Sequence, residues 1–447
     1  MKHFYLFLTF VATTTTIFAQ SGNNNYDVAK VMTYNLLNYR NSTSYCNATS
    51  NDPDTKDEYL KKIIQYADPD IVCFNEVGSN SSNIGKLYNN VMNTDGVTKY
   101  GYSNYSSTSS SSLMNVTFYN TEMFEIYNQT SITKALNNSN LVRLIDVITF
   151  YFSGDPNLDT SNDTTFLTLF VAHLKAGSTS SDQSDRAAAT AAVMDYIENH
   201  PEISENFMIA GDFNIYDASD DEFQNLISGD DDKRFYDPAN AIGEWDANSN
   251  YANMHTQSTR HSSATNNGCF SGGGLDNRFD FILTSEAIID GSGRVEYGSN
   301  SYTTIGQDGQ HFNSSVNYGT NNSASSDIIE AVYNISDHLP VTLGMYMYHT
   351  IGTSTETINN DLNKEVTIHT QNPVRTDNIV LNINSQTTGE RTLEVYDITG
   401  KALYARKIQF SKGTQQVNID EKFPSGILLI KLQEENKNPL ILKLVKI

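Results

Sequence analysis

Basic residues are scarce in this sequence of 447 residues, which has 29 Lys and Arg against 52 Asp and Glu and a formal net charge of −23. The imbalance is uneven along the chain. Residues 366–447 hold 11 basic and 8 acidic residues, a net charge of +3, whereas the remaining residues hold 18 and 44, a net charge of −26. A protein that grips nucleic acid by bulk electrostatics needs a basic face, so the composition excludes that mode of binding. A phosphate substrate would need divalent cations to offset the repulsion, although the carboxylates could also serve solubility alone.

Long apolar runs are absent apart from the N-terminal segment, MKHFYLFLTFVATTTTIFAQ. Lys2 gives it a positive start, residues 4–12 are an apolar stretch too short to span a bilayer, and residues 17–19 resemble a cleavage site. The threonines at 13–16 argue against a buried first strand. The sequence therefore predicts a signal peptide, residues 1–19, cleaved near Ala19 or Gln20, and an exported, soluble protein with no stable membrane insertion.

Tryptophan and cysteine are also rare. One Trp is balanced by 26 Tyr and 21 Phe, which suffice for a sizeable core. The three cysteines allow one disulfide with one thiol left over. Cys73 lies in the apolar run IVCF, which predicts a buried free thiol, whereas Cys46 and Cys269 lie in polar, loop-like sequence. We predict a disulfide between Cys46 and Cys269.

The length of the chain predicts two domains. Residues 20–350 alternate strand-like and helix-like patterns, beginning with a strand that ends at Asn35, a helix over residues 57–66 and a strand in DIVCFNEV, which is typical of an α/β domain. A further helix is predicted over residues 182–199, with Ser181 or Asp182 as its cap. Residues 351–365 read as a linker, and residues 366–447 contain short alternating strands that predict a small all-β sandwich.

One short stretch, ENFMIAGDFN, joins an apolar run to a polar pair. At strand spacing residues i and i+2 point the same way, so Asp212 and Asn214 would face one spot. Gly, Asp and Asn are also common turn formers, and on this stretch alone a plain turn is the favoured interpretation.

The same junction recurs at other predicted strand ends. The polar residues found there are Asn35, Glu76, His173, Asp212 with Asn214, Asp280, and Asp337 with His338. Ligand sites in α/β sheets lie at the carboxyl ends of strands, where these side chains would gather. Carboxylate and amide oxygens suit Mg²⁺ or Mn²⁺. Such a cation would polarise a phosphoryl oxygen, and a His–Asp pair would prepare water for attack.

Each of these residues also has a plain structural interpretation. Asn35 could start a turn, and so could the acid–histidine pair at 337–338. His173 could be a satisfied histidine at a strand end. Asp280 could face solvent, or pair with the arginine two residues before it. Glu76 is harder to explain in this way, because a buried glutamate after four apolar residues needs a partner or a metal.

Six motifs in order make residues 28–348 resemble the endonuclease/exonuclease/phosphatase superfamily, whose members include deoxyribonuclease I and the AP endonucleases. The motifs are TYNLLNY, FNEV, VAHLKAG, GDFN, RFDFIL and SDHLPV, and GDFN and SDHLP carry most of the weight. The resemblance implies a four-layer α/β sandwich with two packed mixed sheets. It also makes a site at Asp212 and Asn214 the stronger interpretation, with or without a turn.

The resemblance implies a metal site for Mg²⁺ or Mn²⁺. Glu76 would be the principal metal ligand, with Asn35 and Asp337 beside it. Arg143 and Lys175 could contact phosphate, although solvated surface charge is the plainer interpretation of each.

The resemblance implies catalytic roles for five further residues. His338, paired with Asp280, would activate or orient water. Asp212 and Asn214 would position the nucleophile and the scissile phosphate, with or without a second metal ion. His173 would donate to a phosphate oxygen or to the leaving group.

The C-terminal unit resembles the type IX secretion sorting domain of Bacteroidetes. The similarity lies in NPV, LEVYDITGK, SGILLIKL and the basic end KLVKI. It implies export across the outer membrane to the cell surface or beyond, contact with the secretion machinery, and removal of this domain. A substrate-binding β-sandwich is the other interpretation, since fold alone does not fix function.

Three classes of function fit these features. The leading hypothesis is a secreted, monomeric, metal-dependent nuclease, an endonuclease above all, that hydrolyses extracellular DNA or RNA. The second is a phosphodiesterase or phosphatase for phospholipid head groups, as in a sphingomyelinase, or for small phosphate esters; the polar loop SNYSSTSSSS favours the nuclease. The third, a non-enzymatic surface adhesin, is disfavoured because every key position is filled. Acidic runs such as residues 230–232 could hold structural Ca²⁺ or simply be solvated.

Overall fold

The computed structural model describes most of the chain outside its N-terminal segment. The described residues are 25–44, 46–47, 51–105, 111–158, 163–262, 269, 272–350, 366–370, 374, 378–397, 399–434 and 439–446. The predicted signal peptide and linker lie outside these ranges, as does the middle of the polar loop at 103–112. Within them, no helix is long and apolar enough to cross a membrane.

Two mixed β-sheets organise residues 26–348. The first sheet contains β1 (Tyr26–Tyr39), β2 (Ile71–Gly78), β3 (Tyr100–Tyr102), β4 (Leu113–Asn120), β10 (Val295–Tyr297), β11 (Thr303–Thr304) and β12 (Val341–Tyr348). The second contains β5 (Phe124–Lys134), β6 (Asn140–Phe152), β7 (Phe166–His173), β8 (Phe207–Asp212) and β9 (Asp280–Thr284).

The strand order explains how distant motifs become neighbours. The first sheet runs β10-β12-β1-β2-β4-β3, with β11 paired to β12, and the second runs β5-β6-β7-β8-β9. In each sheet the central pair, β1 with β2 and β7 with β8, is parallel, and the flanking pairs are antiparallel. The carboxyl ends of each parallel pair therefore lie side by side at one edge of their sheet.

The described residues contain six α-helices. They are α1 (Pro53–Ala67), α2 (Ser81–Leu87), α3 (Ser180–Asn199), α4 (Asp221–Ile227), α5 (Glu286–Asp290) and α6 (Ser326–Ile335), with a π-helical turn at Tyr88–Met92 and a 3₁₀ turn at Ser249–Tyr251.

Three apolar clusters separate the layers of this domain. One fills the space between the sheets with residues such as Val31, Leu169 and Leu343. A second packs α1 and α6 on the outer face of the first sheet, and a third packs α3 and α4 on the outer face of the second. Each buried Leu, Ile, Val or Phe contributes roughly 1.5–3 kcal/mol. The predicted four-layer α/β sandwich with two packed mixed sheets is confirmed.

Capping residues fix where the helices begin. The Asp52 side chain accepts from the backbone N–H of Thr55 at 2.8 Å, so α1 begins four residues before the predicted start at Asp57. Thr179 and Asp182 form a capping box at the start of α3. The prediction of Ser181 or Asp182 as the cap was wrong: Asp182 is the third helical residue and reaches back to the cap.

Two further differences from the predicted elements bear on the site. β1 does not end at Asn35 but continues to Tyr39, and its pairing with β2 shifts register between these two residues. The prediction also missed β5, whose exposed polar residues interrupt the apolar alternation, and α6, which follows a long polar segment.

The C-terminal region is all-β, as predicted. Its strands are β13 (Val366–Thr370), β14 (Asn378–Ser385), β15 (Gly389–Asp397), β16 (Ala402–Phe410), β17 (Gly413–Asp420), β18 (Gly426–Gln433) and β19 (Leu440–Lys446). They form a three-stranded and a four-stranded antiparallel sheet. Inward-facing residues of both sheets, such as Leu381 and Ile430, share one apolar core.

The disulfide prediction is confirmed. Cys46 and Cys269 are bonded across 223 residues of sequence, and Cys73 is a buried free cysteine. The bond joins the loop after β1 to a loop that precedes β9, and both cysteines pack against Leu37.

Removing this bond should lower the stability of the protein. Closing so long a loop restricts the unfolded chain, so loss of the bond is expected to cost roughly 2–5 kcal/mol and about 5–15 °C in Tm. Calorimetry of a Cys46→Ser/Cys269→Ser variant measures this. As a check, the denatured wild type should titrate one thiol without reductant and three with it. An unchanged Tm would show that the bond adds no stability.

Candidate active site

Asn35 links the two sheets at the site. It ends the regular part of β1 and pairs in register with Asn75 of β2. Its Nδ2 donates to Asp212 Oδ2 at 2.9 Å and lies 3.3 Å from Glu76 Oε1, while its Oδ1 accepts from the backbone N–H of Leu37. Asn35 and Glu76 belong to the first sheet and Asp212 to the second, so this amide draws side chains of both sheets together.

Asp212 and Asn214 form a turn and a site at once. Asp212 Oδ1 accepts from both the backbone N–H and Nδ2 of Asn214, at 3.1 and 2.8 Å, which leaves Oδ2 facing Asn35 and His173. Gly211, with φ of +145°, permits the close approach of β8 to β7, because a Cβ there would lie 1.7 Å from the carbonyl oxygen of Ala172. Burial raises the pKa of Asp212 to about 7, an effect that His338 opposes and Asp280 reinforces.

His338 and Asp280 form a buried pair. His338 Nδ1 lies 2.7 Å from Asp280 Oδ2, and the Asp280 carboxylate is fully buried at the start of β9. The Asp280 backbone N–H donates to Thr256 Oγ1 at 3.1 Å, which fixes this strand end. Burial alone would lower the pKa of His338, but the carboxylates of Asp280, Asp337 and Asp212 raise it well above its ordinary value.

His173 is the second histidine near Asp212. Its Nε2 is 3.5 Å from Asp212 Oδ2 and 3.6 Å from Glu76 Oε1, and its side chain is buried at the end of β7. Burial, with the charges of Arg143 and His338, lowers the pKa of His173 well below its ordinary value. His173 is therefore a neutral imidazole at neutral pH, next to an acid and a cationic histidine.

Asp337 and Glu76 fit a hard divalent cation. Asp337 Oδ2 accepts from Gln257 Nε2 at 3.1 Å, but its buried Oδ1 has no hydrogen-bond partner among the described residues. Glu76 Oε2 accepts from the backbone N–H of Asn38 at 2.9 Å, and Oε1 has longer contacts, 3.3 Å to Asn35 and 3.6 Å to His173. Carboxylate oxygens with free lone pairs are the ligands that Mg²⁺ and Mn²⁺ prefer.

A second grouping could also hold a metal ion. Ligand atoms of Asp212, Asp280 and His338 all lie within 4.8 Å of one another. The 2.7 Å distance between His338 Nδ1 and Asp280 Oδ2 is that of a hydrogen bond, however, so these two atoms already have each other as partners. The pair is therefore more suited to handling a proton.

Two basic residues flank the site in different ways. Arg143 on β6 donates to the carbonyl oxygen of Leu174. Burial lowers the pKa of Arg143, whereas the charges of Glu76 and Asp212 favour its protonated form. Lys175 pairs instead with Asp182 at 2.7 Å and is about one third exposed. Arg143 is thus directed toward the site, and Lys175 is held at its surface by α3.

Sequence reasoning missed several residues of the site. Asn75 accepts from the Asp212 backbone N–H at 3.1 Å and donates to Asn115 at 2.9 Å, so it joins the sheets behind Asp212. Gln257 contacts both Asp337 and His338 from an irregular loop. Asn75 could have been found because it precedes Glu76 directly in the sequence. Gln257 could not, because the segment around it has no periodic pattern. Arg278 pairs with Asp237 rather than Asp280, which rules out one structural interpretation of Asp280.

Two family models match the chain. The model of the Endonuclease/Exonuclease/phosphatase family matches residues 32–338, more than half of the chain. The model of the Secretion system C-terminal sorting domain matches residues 372–446. The first range contains every residue of the site described above.

Several solved structures are similar to the chain. The human Nocturnin catalytic domain with bound sulfate is 13% identical, with 72% of this chain and 97% of that chain covered and a TM-score of 0.42. An endonuclease/exonuclease/phosphatase family protein from Bacteroides thetaiotaomicron is 14% identical, with 73% and 99% covered and a TM-score of 0.45. Truncated Caenorhabditis elegans TDP2 is 18% identical, with 71% and 97% covered and a TM-score of 0.43. None of the curated proteins compared with the chain matches it.

Proposed function

Because the chain belongs to the endonuclease/exonuclease/phosphatase family of hydrolases, we propose that it is a divalent-metal-dependent nuclease that hydrolyses phosphodiester bonds of extracellular DNA. Its C-terminal sorting domain directs export through type IX secretion to the cell surface or the extracellular space. We propose residues 20–350 as the catalytic part and 366–447 as the sorting part, with a signal peptide before them.

One observation supports this proposal most strongly: six side chains, that of Asp212 included, form one connected group. Asn35 Nδ2 and His173 Nε2 each contact both Asp212 and Glu76, and His338 Nε2 lies 3.9 Å from Asp212 Oδ2 while its Nδ1 pairs with Asp280. Such an arrangement has acid, base and cation-binding groups around a space where one phosphorus centre could be held.

The metal site would consist of Glu76 and Asp337. A bound Mg²⁺ or Mn²⁺ would withdraw electron density from a phosphoryl oxygen and offset the negative charge of the protein. Asn35 presents its amide nitrogen, not its oxygen, to the two neighbouring carboxylates. In this arrangement Asn35 orients Glu76 and Asp212, and its predicted role as a direct ligand stays a prediction.

The protein's own groups would carry the proton transfers. His338 holds its Nδ1–H toward Asp280, and in its deprotonated form, which higher pH favours, Nε2 can take a proton from the attacking water as a new P–O bond forms. Asp212, fixed by Asn214, orients that water. His173 is neutral, so its Nε2–H can donate a hydrogen bond to a phosphoryl oxygen or to the departing oxygen, which takes up its proton from solvent as its bond to phosphorus breaks. Arg143 adds a positive charge beside the phosphate.

Purified protein is expected to degrade plasmid DNA with Mg²⁺ or Mn²⁺ and to stop when a chelator is added. Gel electrophoresis of plasmid follows the cleavage, and early nicked circles would indicate internal cuts. The same preparation is tested on RNA, sphingomyelin and nitrophenyl phosphates. Intact plasmid in the presence of several divalent ions would contradict the proposed function.

One observation favours the phospholipid alternative. Leu136, in the turn between β5 and β6, and Val142, the β6 residue just before Arg143, are 63% and 47% accessible. Exposed aliphatic side chains beside a phosphate site could touch a lipid surface. Release of phosphocholine from sphingomyelin without cleavage of DNA would select this alternative.

The activity should rise with pH as His338 loses its proton. An Asp280→Asn variant should move this rise to lower pH, because it removes a carboxylate that raises the pKa of His338. The same change should lower kcat by about 10²–10⁴-fold, since the imidazole loses its orienting acceptor. A pH profile of kcat/KM for wild type and variant measures both effects. A rise at the same pH in both proteins would exclude His338 as the titrating group.

A further inference from the structure

The chain leaves its regular strand geometry directly after Asn35. Between Asn35 and Tyr39, β1 contains two more residues than the facing part of β2, so residues 36–38 bulge out of the ladder. Leu37 and Asn38 have φ of +47° and +53°, a conformation that non-glycine residues seldom adopt. Such a bulge needs partners for the carbonyl groups that have left the sheet.

Lys56 supplies the partner for two of these carbonyl groups. It lies on the buried face of α1, with only 3% of its surface accessible. Its Nζ donates to the carbonyl oxygens of Leu36 at 2.8 Å and Leu37 at 2.7 Å. The two hydrogen bonds fasten successive carbonyls of the bulge to one rigid helix.

Residues at this bulge contact both carboxylate oxygens of Glu76. Its last residue, Asn38, donates its backbone N–H to Glu76 Oε2, and the residue before it, Asn35, contacts Glu76 Oε1. Both carboxylate oxygens are thus oriented by residues that flank the two carbonyls bound by Lys56. Glu76 itself has φ of +59°, so its backbone also depends on surrounding contacts to keep this conformation.

We propose that Lys56 is a positioning residue of the metal site: by fixing the bulge at residues 36–38, it aims the Glu76 carboxylate and so sets the affinity for the divalent cation. This inference rests on the proposed metal-dependent function. In this role Lys56 does not itself bind the cation.

The electrostatics of Lys56 agree with this role. Burial, with the charge of Arg260, lowers the pKa of Lys56 to about 7, although Asp337 and Glu76 favour the charged form. A neutral amine keeps two N–H groups, so both hydrogen bonds to the bulge persist whichever form is present. The two carboxylates that favour the charged form of Lys56, those of Asp337 and Glu76, are also the two proposed metal ligands.

Calorimetric titration of the full chain with Mn²⁺ tests the proposal. Lys56→Met keeps the apolar stem and removes the donors; it is expected to weaken Mn²⁺ binding by at least about tenfold, as loss of outer-shell partners does at other metal sites. Lys56→Arg, which can still donate to two carbonyls, should recover most of that affinity. Lys62→Met is the matched control, because it makes the same change on the exposed face of the same helix.

The outcomes separate a positioning role from a merely structural one. A Lys56→Met protein with a lower Tm but Mn²⁺ affinity within twofold of wild type would overturn the inference. Should Lys56→Met fail to fold, Lys56→Gln replaces it: affinity within twofold of wild type overturns the inference, and a loss of threefold or more supports it. A wild-type chain that binds no Mn²⁺ would overturn the proposed metal-dependent function as well. If wild type binds Mn²⁺ and Lys56→Met binds it equally well, only the role of Lys56 is overturned.

Discussion

A His338→Ala variant is expected to lose at least about 10³-fold in kcat for phosphodiester hydrolysis while remaining folded. The reason is that its imidazole is both the proposed proton acceptor for water and the only partner of Asp280 Oδ2 among the described residues. General-base catalysis alone accelerates a reaction by about 10²–10⁴-fold. Because His338 and Asp280 act as one unit, removing the imidazole also removes the contribution of Asp280. Initial rates on plasmid DNA at saturating Mg²⁺ measure the effect, and circular dichroism confirms folding.

The chain offers a matched control for this variant. His311 also lies in a buried His–Asp pair, with its Nδ1 2.8 Å from Asp308, but its Nε2 bonds to the backbone of Tyr318 in a loop. A His311→Ala change therefore reproduces the structural cost of losing such a pair without touching the site. We expect it to lower the Tm and to leave kcat within about threefold of wild type. If both variants lost activity equally, the loss would reflect stability rather than chemistry.

That these polar side chains lie close together could be predicted from the sequence, because their proximity depends on strand ends. Apolar runs that end in Asn35, Glu76, His173 and Asp212 mark the carboxyl ends of the two parallel pairs, and those ends must share an edge. The Cys46–Cys269 bond was predictable for a similar reason, since a buried Cys73 left only one pairing.

The fine geometry of the site could not be predicted in the same way. Lys56 has the sequence context of an ordinary solvent-exposed helical lysine, one residue before an aspartate, and its burial follows from a bulge in a strand twenty residues earlier. Gln257 reaches Asp337 from a segment without periodicity. The orientation of the Asn35 amide depends on which carboxylate approaches from the second sheet, and only the packing of the two sheets decides that. Sequence patterns identify the sheet edges at which polar side chains gather, whereas tertiary contacts determine how each side chain is oriented there.

A Glu76→Gln variant is expected to lose at least about 100-fold in Mg²⁺ or Mn²⁺ affinity, and with it nearly all hydrolysis at millimolar metal. Glu76 is accessible to about 16% and has one oxygen held by Asn38, so it can offer the other to a cation without large rearrangement. A glutamine amide removes the negative charge but keeps the volume, and its oxygen can still accept from Asn38. Loss of an orienting partner alone costs about 10–100-fold in metal affinity, so loss of a charged ligand should cost more.

Glu296→Gln is the matched control for this last variant. Glu296 is also a half-buried carboxylate of the first sheet, but it accepts from the Tyr348 hydroxyl on neighbouring β12 and lies outside the site. The two variants remove the same charge from a chain whose net charge is −23, so any general effect of acidity on metal binding appears in both. Calorimetric titrations with Mn²⁺ should then separate them by the full 100-fold. Equal affinities would mean that bulk negative charge gathers the cation, and that Glu76 does not act as its ligand.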